Sequence, residues 1–241
     1  MRYSALPVSA GVGLLALILL GQPALCRAGA IVVDDFNDNS LNLQLWSPYI
    51  EGTSSVSEVN QRLETTAAGS GEGIAFVRLL GLIGGDFDAQ VSYTLLSTLT
   101  SAKDTFGGIA WVVGGDLLDN PQLVGRGYGG YGCEINAGGS CAFPSTDISG
   151  RLRMTRVGTT LSVYYWDGSG WQFMDATSTS GAPSSIGIGA SSGSTTPVSF
   201  AFDDFQLQAD GFTSIPEPGS MALVGISLAL VCGFRKRHPG R

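Results

Sequence analysis

The sequence predicts an all-β domain, two antiparallel sheets packed as a sandwich, carried between two hydrophobic ends that stand outside it. Three observations predict this. Apolar residues recur with a period of two: Phe87, Ala89, Val91, Tyr93 and Leu95 alternate with polar neighbours, and Leu152, Met154, Leu161, Val163 and Tyr165 repeat the pattern. The 35 glycines, with serines among them, cut the chain into short runs and leave no long helix-period segment. About 180 residues lie between the two ends, enough to close one core. Many short strands joined by glycine turns at that length make a two-sheet sandwich.

Residues 1–30 carry Arg2, an apolar run over 8–20 and the small residues Ala28, Gly29 and Ala30, the order of a secretory signal peptide. Cleavage is expected after Ala30, with Ala28 as the alternative. Cys26 follows the bulky Leu25, which argues against a lipoprotein site, so it leaves with the signal.

The domain then runs over 31–210. It holds seven Arg and Lys against nineteen Asp and Glu, a net charge of about −12, because the basic residues concentrate in the ends. That balance argues against nucleic acid and anionic lipid as partners. The single histidine, His238, lies in the tail, so no histidine base or ligand operates in the domain. Of four cysteines, Cys26 and Cys232 fall in the two ends; Cys133 and Cys141 remain and bracket a short loop. In an exported domain a disulfide between them is expected. A zinc pair is the lesser alternative, since no histidine or further cysteine completes it.

Strands are expected over 74–80, 87–95, 106–113, 185–190 and 198–208, and a hairpin over 151–166 that turns at Gly158-Thr159. In 198–208, Phe200 and Phe202 keep one phase while Phe205 and Leu207 keep the other. The switch at Asp203-Asp204 predicts a bulge, or a strand buried on both faces.

Three segments carry a resemblance. Val32, Val33, Asp34, Asp35 and Phe36, with Leu41 and Trp46, are similar to the opening strand of concanavalin A-like lectin/glucanase domains. The stretch from Arg151 through Gly158-Thr159 to Trp166, then Trp171, resembles their central hairpin and a third strand. The run from Phe200 to Leu207 resembles their closing strand, which lies beside the opening one. The resemblance implies a jelly-roll sandwich, and a structural calcium held by an acid of the first strand and one of the last, here Asp35 and Asp203. Carbonyls and water would complete its six to eight contacts. Strand-end solvation of these acids is the alternative.

Catalysis is not expected. Glycosidases of related fold set two or three acids at alternating positions of one strand, and no strand here offers Glu-x-Asp-x-Glu. Asp86 and Asp88 are two apart, but Asp86 follows Gly84-Gly85 as a turn residue would, and Glu134 stands alone. The stretch 125–132 contains a G-x-G-x-x-G match that neither follows a clear strand nor opens a helix, so it is no dinucleotide site. It reads as a surface loop whose Arg126, Tyr128 and Tyr131 could meet a sugar ring. Trp46, Trp111, Trp166 and Trp171 could line a platform for the same task, Trp166 and Trp171 at the mouth of the turn 167–170; for each one alone the core reading is favoured, Trp111 above all.

The last segment, 211–241, opens with a break at Pro216-Glu217-Pro218, continues as an uncharged apolar run over 221–234 and ends in Arg235-Lys236-Arg237. Fourteen helical residues span about 21 Å, short of a hydrocarbon core of about 30 Å, a reach that Gly219, Ser220 and snorkelling basic stems extend. The basic cluster would stay cytoplasmic. A buried terminal helix is the alternative. The order break, span (219–234), basic tail (235–241) resembles the PEP-CTERM sorting domain of Gram-negative bacteria. That family is recognised by exosortase, a membrane protease-transpeptidase, and delivered to the envelope or to an exopolysaccharide matrix.

Together these readings describe an exported surface or matrix protein, transiently anchored in the inner membrane. Its sandwich is expected to be structural or adhesive rather than enzymatic, with a carbohydrate-binding module as the nearest alternative and a glycoside hydrolase as the distant one.

Overall fold

The computed structural model describes residues 29–69, 71, 73–99, 105–113, 122–136 and 139–214. The signal-peptide helix and the membrane span expected at the two ends lie outside these residues. So does the sorting motif with its basic tail.

Fifteen strands follow in order among the described residues: β1 (Ala30–Asp34), β2 (Trp46–Glu51), β3 (Ser55–Val59), β4 (Arg62–Ala67), β5 (Gly73–Leu79), β6 (Gly81–Leu95), β7 (Phe106–Val113), β8 (Gln122–Gly127), β9 (Gly130–Asn136), β10 (Gly139–Pro144), β11 (Ser149–Val157), β12 (Thr160–Trp166), β13 (Trp171–Ser178), β14 (Ser184–Ser192) and β15 (Val198–Ser214). All pairings are antiparallel. One layer runs β2-β5-β14-β7-β8-β9-β10. The other runs β3-β4-β15-β6-β11-β12-β13, with β1 lying beside the later half of β15. The two layers meet where Ser184 of β14 pairs with Ile83 at the start of β6.

The alternation written in the sequence decides which side chains fill the sandwich. On β6 and β11, Ala89, Val91, Leu152 and Met154 are fully buried, while Asp88, Gln90, Arg151 and Arg153 point to the other side. The β11–β12 hairpin turns at Gly158-Thr159 as expected, with Gly158 at φ 60, where glycine carries no steric penalty. On β15 the phase switch is a bulge. Register with β6 shifts between Asp203 and Gln206, Asp204 takes φ 50, and Phe200, Phe202, Phe205 and Leu207 are all buried as a result.

Other sequence expectations change. The stretch 125–132 is not a loop: it forms the end of β8, a two-residue turn at Tyr128-Gly129 and the start of β9. Asp86 is not in a turn but within β6, just after a kink at Gly85 (φ 71), and its Oδ1 accepts the Gly158 amide at 2.7 Å. The sandwich also extends past both expected boundaries. β1 begins at Ala30, paired with Ala209, and β15 continues to Ser214, paired with Gly81.

Candidate functional site

The side chains that face outward from β11, β12 and β13 form one continuous surface. Cross-strand register sets Phe173, Tyr164, Arg153, Gln90 and Gln206 in a single row. Beside it, Trp171 pairs with Trp166. Four aromatic rings thus share two adjacent strands, with two arginines on the third.

Their contacts fix the geometry. The Trp166 and Trp171 rings meet edge to face at 5.4 Å and 78°. Tyr164 and Phe173 do the same at 5.7 Å and 68°. The Arg151 guanidinium lies 5.3 Å from the Trp171 ring centre and 5.9 Å from that of Trp166. Arg153 lies 5.5 Å from Tyr164 and 5.7 Å from Trp171. Cations over ring faces are attracted by the ring quadrupole, so the set is ordered before any ligand arrives. Phe173 remains 56% exposed, and Tyr164, Trp166 and Trp171 are partly exposed.

Polar contacts complete the surface. Arg153 donates from Nε and Nη2 to both oxygens of Asp88, at 3.0 and 2.6 Å, a bidentate ion pair. Arg151 donates to Gln90 Oε1 at 3.1 Å, and Gln90 Nε2 donates to Asp88 Oδ1 at 3.2 Å. The turn 167–170 is tied by Asp167, whose Oδ1 accepts the amides of Ser169 (2.8 Å) and Gly170 (2.9 Å) and whose Oδ2 accepts Gln172 at 2.7 Å. These amides hold its carboxyl below the usual carboxylate range. Rings with an apolar face and a polar rim, next to guanidinium and amide donors, can stack on one face of a sugar and bond its hydroxyls.

Trp166 and Trp171, singled out in the sequence, belong to this surface. The other expected glycan contacts do not. Tyr131 is 2% exposed, stacked on Tyr165 at 4.3 Å, with its hydroxyl 3.3 Å from Asp147 Oδ2. Arg126 is 5% exposed and spends its guanidinium on main-chain oxygens: Asp147 (3.0 Å), Gly130 (2.9 Å), Ser145 (2.9 Å) and Gly127. It clamps the β8–β9 turn to the segment after β10. Tyr128, at the turn tip, is exposed and stands alone of the three at the surface. Trp46 and Trp111 are core, as expected. Arg151, Arg153, Tyr164 and Phe173 were not singled out, although the alternation of the first three with Leu152, Met154, Val163 and Tyr165 already placed those three on one outward face.

Cys133 and Cys141 face each other across β9 and β10 and form a disulfide, with Cα atoms 5.0 Å apart.

The acids of the two end strands gather in part. β1 pairs with β15, so Asp34 lies opposite Phe205 at the bulge. Burial raises the Asp203 carboxyl above its ordinary range, the Asp204 amide lowers it, and the charges of Asp204 and Asp35 raise it again. Asp35 also lines a cavity of about 280 Å³ with Asp34, Asp38, Asn42 and Glu58, a lining that leaves Asp203 out. Within it Glu58 is 5% exposed, and its Oε1 has no hydrogen-bond partner. Burial first, then the neighbouring Asp38 carboxyl, pushes Glu58 up. Among the described residues no three acidic, cysteine or histidine side chains converge as a metal cage. A calcium ion between Asp35 and Asp203 would therefore take most of its contacts from carbonyls and water.

No protein-family model matches this chain, and no curated protein sequence matches it. Solved structures do. The potassium-bound carbohydrate recognition domain of Emp46p is 13% identical, covering 74% of this chain and 95% of its own, with a TM-score of 0.54. Cip1, a cellulose-induced protein, is 13% identical, covering 77% and 100%, with a TM-score of 0.53. The fold is a lectin-like jelly roll. A mutant of the GH43 protein BlXynB from Bacillus licheniformis matches at 17% identity and a TM-score of 0.54; it covers 73% of this chain, which spans only 39% of that longer protein. At such identities the likeness speaks for the fold alone.

Proposed function

We propose that this chain is an exported, non-catalytic adhesive protein that binds polysaccharide on the outer face of β11–β13. The observation that carries the reading is the row of Phe173, Tyr164 and Arg153 beside the Trp166–Trp171 pair, an ordered aromatic surface left open to solvent. A carbohydrate recognition domain and a cellulose-induced protein among the structures of like fold support it. The non-catalytic part rests on what the candidate acids do. Asp88 is held by Arg153 and Asp86 by the Gly158 amide, so both serve the sheet. Hydrolysis of any polysaccharide in a panel by the purified chain would overturn that part.

Export and sorting rest on the sequence of the two ends, and the Cys133–Cys141 bond suits an oxidising compartment. The partner at the inner membrane is an exosortase-type protease reading Pro216-Glu217-Pro218, the span and Arg235-Lys236-Arg237. Residence is the outer surface or matrix of a Gram-negative cell. Intact mass of the protein from a host that carries the protease tests this: mature chains should begin near Ile31 and lack 221–241. Retention of that tail favours a permanent anchor instead.

A structural calcium at Asp35 and Asp203 is a further part of the proposal, supported by the mutual repulsion that an interposed cation would relieve. Thermal melts of the full chain in calcium and in chelator decide it. Equal midpoints in the two buffers leave the acids as strand-end solvation.

A further inference from the structure

The surface described above has a charge pattern that the reading as a general glycan platform does not use. Over 31–210 acids exceed bases by about twelve, yet β11 carries Arg151, Arg153 and Arg156 within six positions. Arg156 faces inward, fully buried, donating to the carbonyls of Gly85 and Ala182. The other two face outward.

These two differ in their partners. Arg153 is neutralised by Asp88 at 2.6 Å. Arg151 is not: its hydrogen bond goes to the neutral amide of Gln90, and the ion pairs among the described residues are Arg62–Glu64 and Arg153–Asp88. A guanidinium has five N–H donors in a planar fork shaped to a carboxylate. The Arg151 fork rests against the Trp166–Trp171 pair and is only partly exposed, so little entropy remains to be lost on pairing.

We infer that this surface takes an anionic polysaccharide, one whose sugar rings carry carboxylates, with Arg151 as the residue that receives the charge. The inference rests on the proposed carbohydrate binding at the same face. In the bound state a uronate ring would lie against the exposed Phe173 and the partly exposed Trp171, and its carboxylate would take the free donors of Arg151. Gln90 and the Arg153–Asp88 pair would hold Arg151 in register from the other side.

The test uses the full chain in a non-ionic detergent and two matched sets of polymers. One set contains polygalacturonate, alginate and hyaluronate; the other contains the same polymers with their carboxylates methyl-esterified. The expected result is binding about tenfold tighter to at least one charged polymer than to its ester, the worth of one charge-assisted contact. Arg151→Gln should bring the affinities for the charged and esterified forms within about twofold of each other, with the larger loss on the charged polymer. Arg151→Lys keeps the charge and should keep part of the preference, which separates lost charge from lost fold. Equal affinity of the wild-type chain for charged and esterified forms overturns the anionic inference and leaves carbohydrate binding standing. Binding to neither set also overturns the anionic inference, and the carbohydrate claim then rests on binding to neutral glycans.

Discussion

Trp46 donates its indole Nε1–H to Asp34 Oδ2 across 2.7 Å, the bond that closes the segment between the first two strands onto the core. Asp34 Oδ1 accepts the Phe36 amide at 2.9 Å, where the chain leaves β1 with Phe36 at φ 49. Phe36 and Trp46 are both fully buried, with Trp46 packed 5.1 Å from Phe205 on β15. One half-buried carboxylate thus serves two donors at the edge of the core. Asp34→Ala leaves a buried indole N–H unpaired and should cost about 1–3 kcal/mol in urea unfolding followed by tryptophan fluorescence. Asp34→Asn keeps an acceptor and should lose less.

Glu58 predicts a pH dependence. Its carboxyl is raised by burial and by Asp38, so the folded chain holds the proton more tightly than the unfolded chain does. Its contribution to stability is therefore greatest below the unfolded glutamate value of about 4.3 and is lost as pH rises through the folded value. Glu58→Gln removes that loss. Melting temperatures should show the variant more stable than wild type at neutral pH, with the gap closing in acid. A gap that widens in acid contradicts the assignment.

The Cys133–Cys141 bridge closes a loop at the edge of its sheet. Removing it should cost about 2–3 kcal/mol, chiefly by freeing the unfolded chain. Thiol titration of unreduced protein should find neither cysteine reactive. The double Ser variant should unfold at lower denaturant concentration.

How far the sequence reveals this structure depends on what each strand places inward. β6, β11, β12 and β15 alternate large apolar and polar residues, so their span, and even the bulge at Asp203-Asp204, can be read from the residues. β8 and β9 cannot be read so easily. Their glycines dilute the period, and the alternation Tyr131, Cys133, Ile135 passes for a glycine-tyrosine loop until the buried faces are known. That misreading carried Arg126 and Tyr131 to the surface, when the Tyr131 ring in fact turns inward and stacks on Tyr165 of β12. The candidate face was half legible. The two tryptophans stand out by type, but Arg151 and Arg153 look like ordinary solvated charges until register places them against the rings.

Carbohydrate binding at the outer face of β11–β13 is the central claim, and a glycan array probed with the full chain and its Trp171→Ala variant tests it most directly. Trp171 touches Trp166, Arg151 and Arg153, so its loss dismantles the surface, at a cost of about 1–3 kcal/mol in binding where a ring stacks on the ligand. Wild type should bind a defined set of polysaccharides, and the variant should lose that set while its melting transition persists. A wild-type chain that binds no glycan, or a Trp171→Ala chain that binds the same glycans equally well, contradicts the account.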